Sequence, residues 1–91
     1  MSMNEIKIRD RIETKLRASF APDHLVVTDD SHQHAGHSGA RPGGQTHFSI
    51  EIISAAFQGK SRVDIHRAIN ALLADEFADG VHALAISAKA P

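Results

Sequence analysis

Four of the chain's seven histidines, His32, His34, His37 and His47, fall within residues 31–48, SHQHAGHSGARPGGQTHF. Imidazole is the commonest protein ligand for zinc, copper and iron, so the first chemistry on offer is metal ligation through nitrogen. The run H-x-H-x-x-H is less specific than a C-x-x-C pair, because histidine-rich loops also collect adventitious metal. Composition alone leaves a plain solvated loop equally open. The stretch holds four glycines, one proline and no bulky apolar residue before Phe48. It cannot bury enough apolar surface to form core structure and is expected to be an exposed, mobile loop. The other candidate is His82, near the start of VHALAISA. As a strand-end histidine it is as readily a backbone hydrogen-bonding partner as a ligand.

Other chemistries fare worse. No serine has an evident base, and the chain has no cysteine. That excludes a disulfide framework, a zinc ribbon and any thiolate ligand from this chain. Asp29 and Asp30 are adjacent, so in a strand they point to opposite faces and make a poor acid/base pair. With three histidines they could build a hydrolytic metal site, but no lid or second domain is available to form a cleft. The net charge of −1 gives no global basic field to recruit nucleic acid. No apolar run reaches the roughly 18 residues of a membrane span. The first residues, MSMNEIKIRDRIE, show neither a signal-peptide region nor a transit peptide, so a cytoplasmic protein with no membrane partner is expected.

The elements that must position these histidines follow from periodicity. The 91 residues suit one domain, 1–91. Ser2-x-x-Glu5 fits a capping box, and Ile8, Ile12, Leu16 and Phe20 recur every four residues along one helix side. Helix one is expected over residues 4–19, stopped by Pro22. Residues 24–28, HLVVT, are β-branched and form strand one, and His24 reads as a solvated strand end. Residues 46–54 alternate, with Phe48, Ile50 and Ile52 on one face and His47, Ser49 and Glu51 on the other, giving strand two. AAFQGK at 55–60 is a turn, with a short helical turn and Gly59 in an unusual dihedral. Ser61 caps a long helix running to about Ala78 before Gly80 stops it. Ile65, Ala68, Ile69, Leu72, Leu73 and Phe77 share its apolar face, with His66 at the edge. Glu76 falls in the middle of that face, which requires a twist in the last turn or a partner for its carboxylate. Residues 81–88 form strand three, with His82, Leu84 and Ile86 on one face.

The order is α-β-β-α-(α)-β, an α+β domain with a three-stranded mixed sheet and helices on one face. A helical crossover from strand two to strand three makes them parallel with right-handed connection. Parallel strands begin at the same end of a sheet. His47, His82 and the loop bearing His34 and His37 are therefore expected at one end. His47 reads as structural there, holding the loop base or supporting a ligand from behind.

Asp29-Asp30-Ser31 leading to a histidine, Thr46-His47-Phe48, Phe57-x-Gly59-x-Ser61, His66-Arg67 and Val81-His82-Ala83-Leu84 together resemble the BolA family. Each motif alone is weak; jointly, over about residues 8–91, they are specific. The resemblance implies a fold similar to the type II KH domain. It implies a non-enzymatic role in iron–sulfur cluster assembly, trafficking or iron homeostasis, as a partner of a monothiol glutaredoxin. The two would share a [2Fe–2S] cluster, with the glutaredoxin supplying its cysteine and the sulfur of glutathione. It implies His82 as one ligand and His34, counted from Asp29-Asp30-Ser31, as the other. His37 is the alternative loop ligand, and His47 a supporting or alternative one. The isolated chain is expected to be a monomer that holds no cluster tightly. The sequence departs from the family in having Ile65 where an arginine usually precedes His-Arg, and in carrying His32 and His37 beside His34. The family is also described as transcriptional regulators, and a KH-like fold binds nucleic acid beside a GXXG loop. The corresponding turn here has one glycine, with Lys60 and Arg62 in it and Arg67 beyond. DNA binding through these three is the alternative function.

Overall fold

The computed structural model describes residues 7–31 and 46–91. The capping box at Ser2 and Glu5, and the loop with His32, His34 and His37, lie outside the described residues.

Helix α1 (Ile8–Phe20) starts later than the expected residue 4, Lys7 before it being extended at ψ 142°, and it buries Ile8, Ile12 and Leu16, the residues at four-residue spacing. Ala21 caps it in the left-handed region, at φ 42°, with its amide on the Arg17 carbonyl at 3.1 Å. The residue before Pro22 has thus left the right-handed helical region, as the proline requires. Strand β1 (His24–Asp29) follows, and then β2 (His47–Ile53) and a 3-10 turn at Ala55–Phe57. Gly59 carries the expected positive φ, 75°, in the tight passage to the next helix. Ser61 caps that helix, α2 (Arg62–Leu72), its hydroxyl accepting from the Asp64 amide at 3.1 Å. Strand β3 (Ala83–Lys89) ends the fold.

The sheet order is β1-β2-β3. β1 runs antiparallel to β2, and β3 parallel to it. Leu25 pairs with Ile52 and Val27 with Ile50 across the first seam; Phe48 pairs with Leu84 and Ile50 with Ile86 across the second. These residues make one continuous apolar face under the helices. Ile12, Leu16, Ile50, Ile52, Ile69 and Leu73 are its most deeply buried members. The opposite face presents Val26, Thr28, Glu51, Ala85 and Ser87 to solvent. No helix among the described residues is long and apolar enough to cross a membrane.

Two expectations need correction. The long helix over 61–78 is two helices: α2 stops at Leu72, Leu73 turns at φ −97°, ψ 18°, and α3 (Ala74–Ala78) sets off anew. The cause is Glu76. It is fully buried, with Arg11 Nε donating to one carboxylate oxygen at 2.9 Å and Lys15 Nζ to the other at 2.7 Å. Arg11 also reaches Asp79 at 2.7 Å. Both resolutions open to Glu76, a twist and a partner, are realised together. Arg11 is held above its ordinary pKa first by its hydrogen bond to Asp79; burial opposes this, and the fields of Glu76 and Asp79 add to it. The second correction is that strand three begins at Ala83, not at Val81. Val81 is buried, whereas His82 lies just before the strand and is exposed.

Candidate metal-ligand end of the sheet

The sheet end where β2 and β3 begin is built from short polar side chains. Asp29 Oδ1 accepts from the Ser31 amide at 2.9 Å, a turn that brings the Ser31 hydroxyl back over the sheet. That hydroxyl, buried, accepts from the amides of Thr46 at 2.9 Å and His47 at 3.1 Å. Asp30 donates its amide to the His47 carbonyl at 2.8 Å, and its carboxylate takes the Ser49 hydroxyl. The Asp29-Asp30-Ser31 run therefore fastens residue 31 to residues 46 and 47, the two ends of the segment carrying His34 and His37. In the sequence these aspartates read as an acid/base pair, as part of a hydrolytic metal site and as a family motif, not as a backbone clamp. The signal was present, because Asp and Ser directly after a strand favour such side-chain-to-backbone turns.

His47 is on the open face of β2, yet it is only 6% exposed. Its Nδ1 lies 2.9 Å from the Thr46 hydroxyl, which fixes the ring and directs Nε2 away from that contact. His82 comes to it from just before the neighbouring strand. The amides of His82 and Ala83 donate to one carbonyl, that of Thr46, at 2.7 and 3.1 Å. Two residues opposing one acceptor act as a bulge and shift the side-chain alternation by one. His82 consequently leaves the face of Leu84 and Ile86 and meets His47, the ring centroids 5.2 Å apart and the planes tilted by 52°. The convergence of His47 and His82 expected from parallel pairing is present; His34 and His37 lie outside the described residues. His82 is the exposed member of the pair and His47 the fixed, buried one. No group of three or more His, Cys, Asp or Glu side chains able to hold a metal ion occurs among the described residues. Of the two imidazoles only that of His82 is open to solvent, so among the described residues this end offers one exposed nitrogen donor, too few to hold a metal ion or cluster unaided.

The remaining candidates lie elsewhere. Lys60 and Arg62 are exposed and flank a groove of about 420 Å³ beside the second half of β3, with half-buried His66 in its wall. Arg67 is exposed on α2 and does not line that groove. Ile65, the position lacking the family's arginine, is buried in the core. His24 is exposed and 3.0 Å from Glu51.

Comparison with known proteins agrees with this architecture. The BolA domain of SufE1 from Arabidopsis thaliana superposes with a TM-score of 0.82 at 46% identity, covering 100% of this chain and 95% of that one. In sequence, SufE-like protein 1, chloroplastic/mitochondrial, from Arabidopsis thaliana is 51% identical over 89% of this chain, which spans only 23% of that protein's length. The DNA-binding transcriptional regulator BolA of Escherichia coli (strain K12) is 42% identical over 87% of this chain and 71% of its own. The family model described as BolA-like protein matches residues 16–91, taking in all three strands, the clamp at Ser31 and both converging histidines. The chain belongs to the BolA family.

Proposed function

We propose that this chain is a non-enzymatic adaptor that shares a [2Fe–2S] cluster with a monothiol glutaredoxin. His82 and one loop histidine, His34 or else His37, are its ligands to that cargo, and His47 stands behind His82. The observation that carries the reading is His82 itself. It is exposed, set by two backbone hydrogen bonds, and packed against a second imidazole at the end where the loop is clamped. With no cysteine in the chain, sulfur ligands come from the glutaredoxin cysteine and glutathione. A cytoplasmic setting belongs to this proposal too, although the plant relative is named for chloroplast and mitochondrion.

The test is a titration of the purified chain into cluster-loaded glutaredoxin, followed by visible absorption and circular dichroism. A new spectrum saturating at one chain per glutaredoxin is expected, and the chain alone is expected to stay colourless after iron and sulfide are offered. An unchanged glutaredoxin spectrum overturns the partner, and a brown chain that keeps its iron unaided overturns the adaptor role.

The Escherichia coli relative, named as a DNA-binding regulator, supports a second reading. Lys60, Arg62 and Arg67 are exposed, but three cations neutralise few phosphates. The plot of log affinity against log salt should therefore have a slope no steeper than about −3 on DNA. Sub-micromolar, sequence-selective binding at physiological salt would place regulation ahead of the adaptor role.

A further inference from the structure

Both outer strands of a three-stranded sheet present an unpaired edge, and natural sheets cover or blunt such edges. Here the two edges differ. In β1 the Asp30 amide bonds to His47, so even-numbered residues face β2 and odd-numbered ones face outward. The outward carbonyl of Val27 is taken by Arg9 Nε at 2.9 Å, so α1 covers that edge. In β3 the Ala83 amide and the Lys89 carbonyl both bond towards β2. The alternation then turns the amides and carbonyls of Leu84, Ile86 and Ala88 outward. Among the described residues no strand lies beyond β3.

What lies along that edge is the groove between β3 and the start of α2. Its apolar wall is Ile65, Ile86 and Ala88, and its rim carries Lys60, Arg62 and Lys89. Among the described residues no carboxylate lines it. None of these three cations is in an ion pair among the described residues, whereas Arg9, Arg11, Lys15 and Arg17 all are. We propose that an extended acidic peptide docks here as a fourth strand, its backbone on Ile86 and Ala88 and its carboxylates on Lys60, Arg62 and Lys89. Strand addition draws affinity from main-chain hydrogen bonds and specificity from alternate side chains, and this edge offers both. A single-stranded nucleic acid fits less well. It binds by base stacking, yet the chain has no Trp or Tyr and Phe57 is 2% exposed. The groove lies beside the half of β3 far from His82, about 10 to 20 Å along the strand from Ala83. A partner at the histidine end and an acidic segment here can therefore be held at once. The inference does not depend on the cluster reading.

The test uses the full chain and a labelled short peptide of alternating valine and glutamate. Its controls are the valine–lysine counterpart, the same acidic peptide N-methylated at alternate amides, and an oligothymidylate. Binding is read by fluorescence anisotropy and by hydrogen exchange of the β3 amides. The acidic peptide is expected to bind and to slow exchange at Ile86 and Ala88, and the N-methylated and lysine peptides to fail. The exposed double variant Lys60→Glu, Arg62→Glu should weaken binding at least about tenfold. Ala88→Pro should weaken it as well, since it removes an outward amide that no β2 bond uses. The N-methylated peptide asks the same question without altering the protein, so a folding defect in Ala88→Pro cannot hide the answer. Absence of acidic-peptide binding, or equal binding of the lysine or N-methylated peptide, overturns the proposal. So does oligothymidylate binding in its place that the charge reversal abolishes and Ala88→Pro leaves intact; that result makes the groove a nucleic-acid site.

Discussion

Glu76→Ala is expected to destabilise the domain by about 3–5 kcal/mol, the usual loss when one partner of a buried ion pair is removed. Glu76 is 0% exposed and Arg11 7%. Without the carboxylate, the Arg11 guanidinium stays buried with only Asp79 beside it, while Lys15, whose side chain is 27% exposed, can turn to water. Against a total stability of about 5–15 kcal/mol for a domain, that loss is large. Asp79→Ala is the natural comparison. Its side chain is 53% exposed, so water takes over much of its role and the loss should stay under about 1 kcal/mol. Urea unfolding of the two variants checks the account through their midpoints. If Glu76→Ala moves the midpoint no further than Asp79→Ala, the buried cluster does not join α1 to α3 as described.

His82→Ala is expected to abolish the mixed-complex cluster spectrum while leaving the fold intact. The side chain is exposed, and the two bonds that shape its position are made by backbone amides to Thr46, which alanine retains. Thermal unfolding should therefore move little, and the far-ultraviolet spectrum should be unchanged. The neighbours on either side, buried Val81 and Ala83, offer no replacement ligand. His47 is beside it, but that ring is 6% exposed and tied to Thr46. His34→Ala should behave differently and cost only part of the signal, because His37, three residues away in sequence, is a second imidazole that can take its place. A His82→Ala protein that gives the wild-type dichroism with loaded glutaredoxin refutes the ligand assignment.

Much of the fold was legible because its periods are unambiguous. Four-residue spacing marked the buried side of α1, and alternation marked the buried side of β2. The crossover made β3 parallel to β2, which put His47 and His82 at one end. What escaped depends on partners distant in sequence or on backbone detail. Nothing within Leu72-Leu73-Ala74-Asp75 announces a break; the break accompanies Glu76 meeting Arg11, 65 residues away. The face of His82 was misread because alternation was carried through residue 82, whereas two amides share one carbonyl there. The clamp at Ser31 was missed because Asp29 and Asp30 were weighed for catalysis and not for holding backbone amides. The choice between His34 and His37 rested on spacing and resemblance alone, and both lie outside the described residues.

The central claim is that nitrogen of this chain ligates iron in a shared cluster. Its most direct measurement is pulsed paramagnetic resonance of the reduced mixed complex, with this chain alone carrying nitrogen-15 histidine. Strong nitrogen-15 couplings characteristic of iron-bound imidazole are predicted, with the coupling assigned to His82 missing in His82→Ala. A reduced mixed cluster with no such coupling, or with couplings unaltered by His82→Ala, would contradict the account.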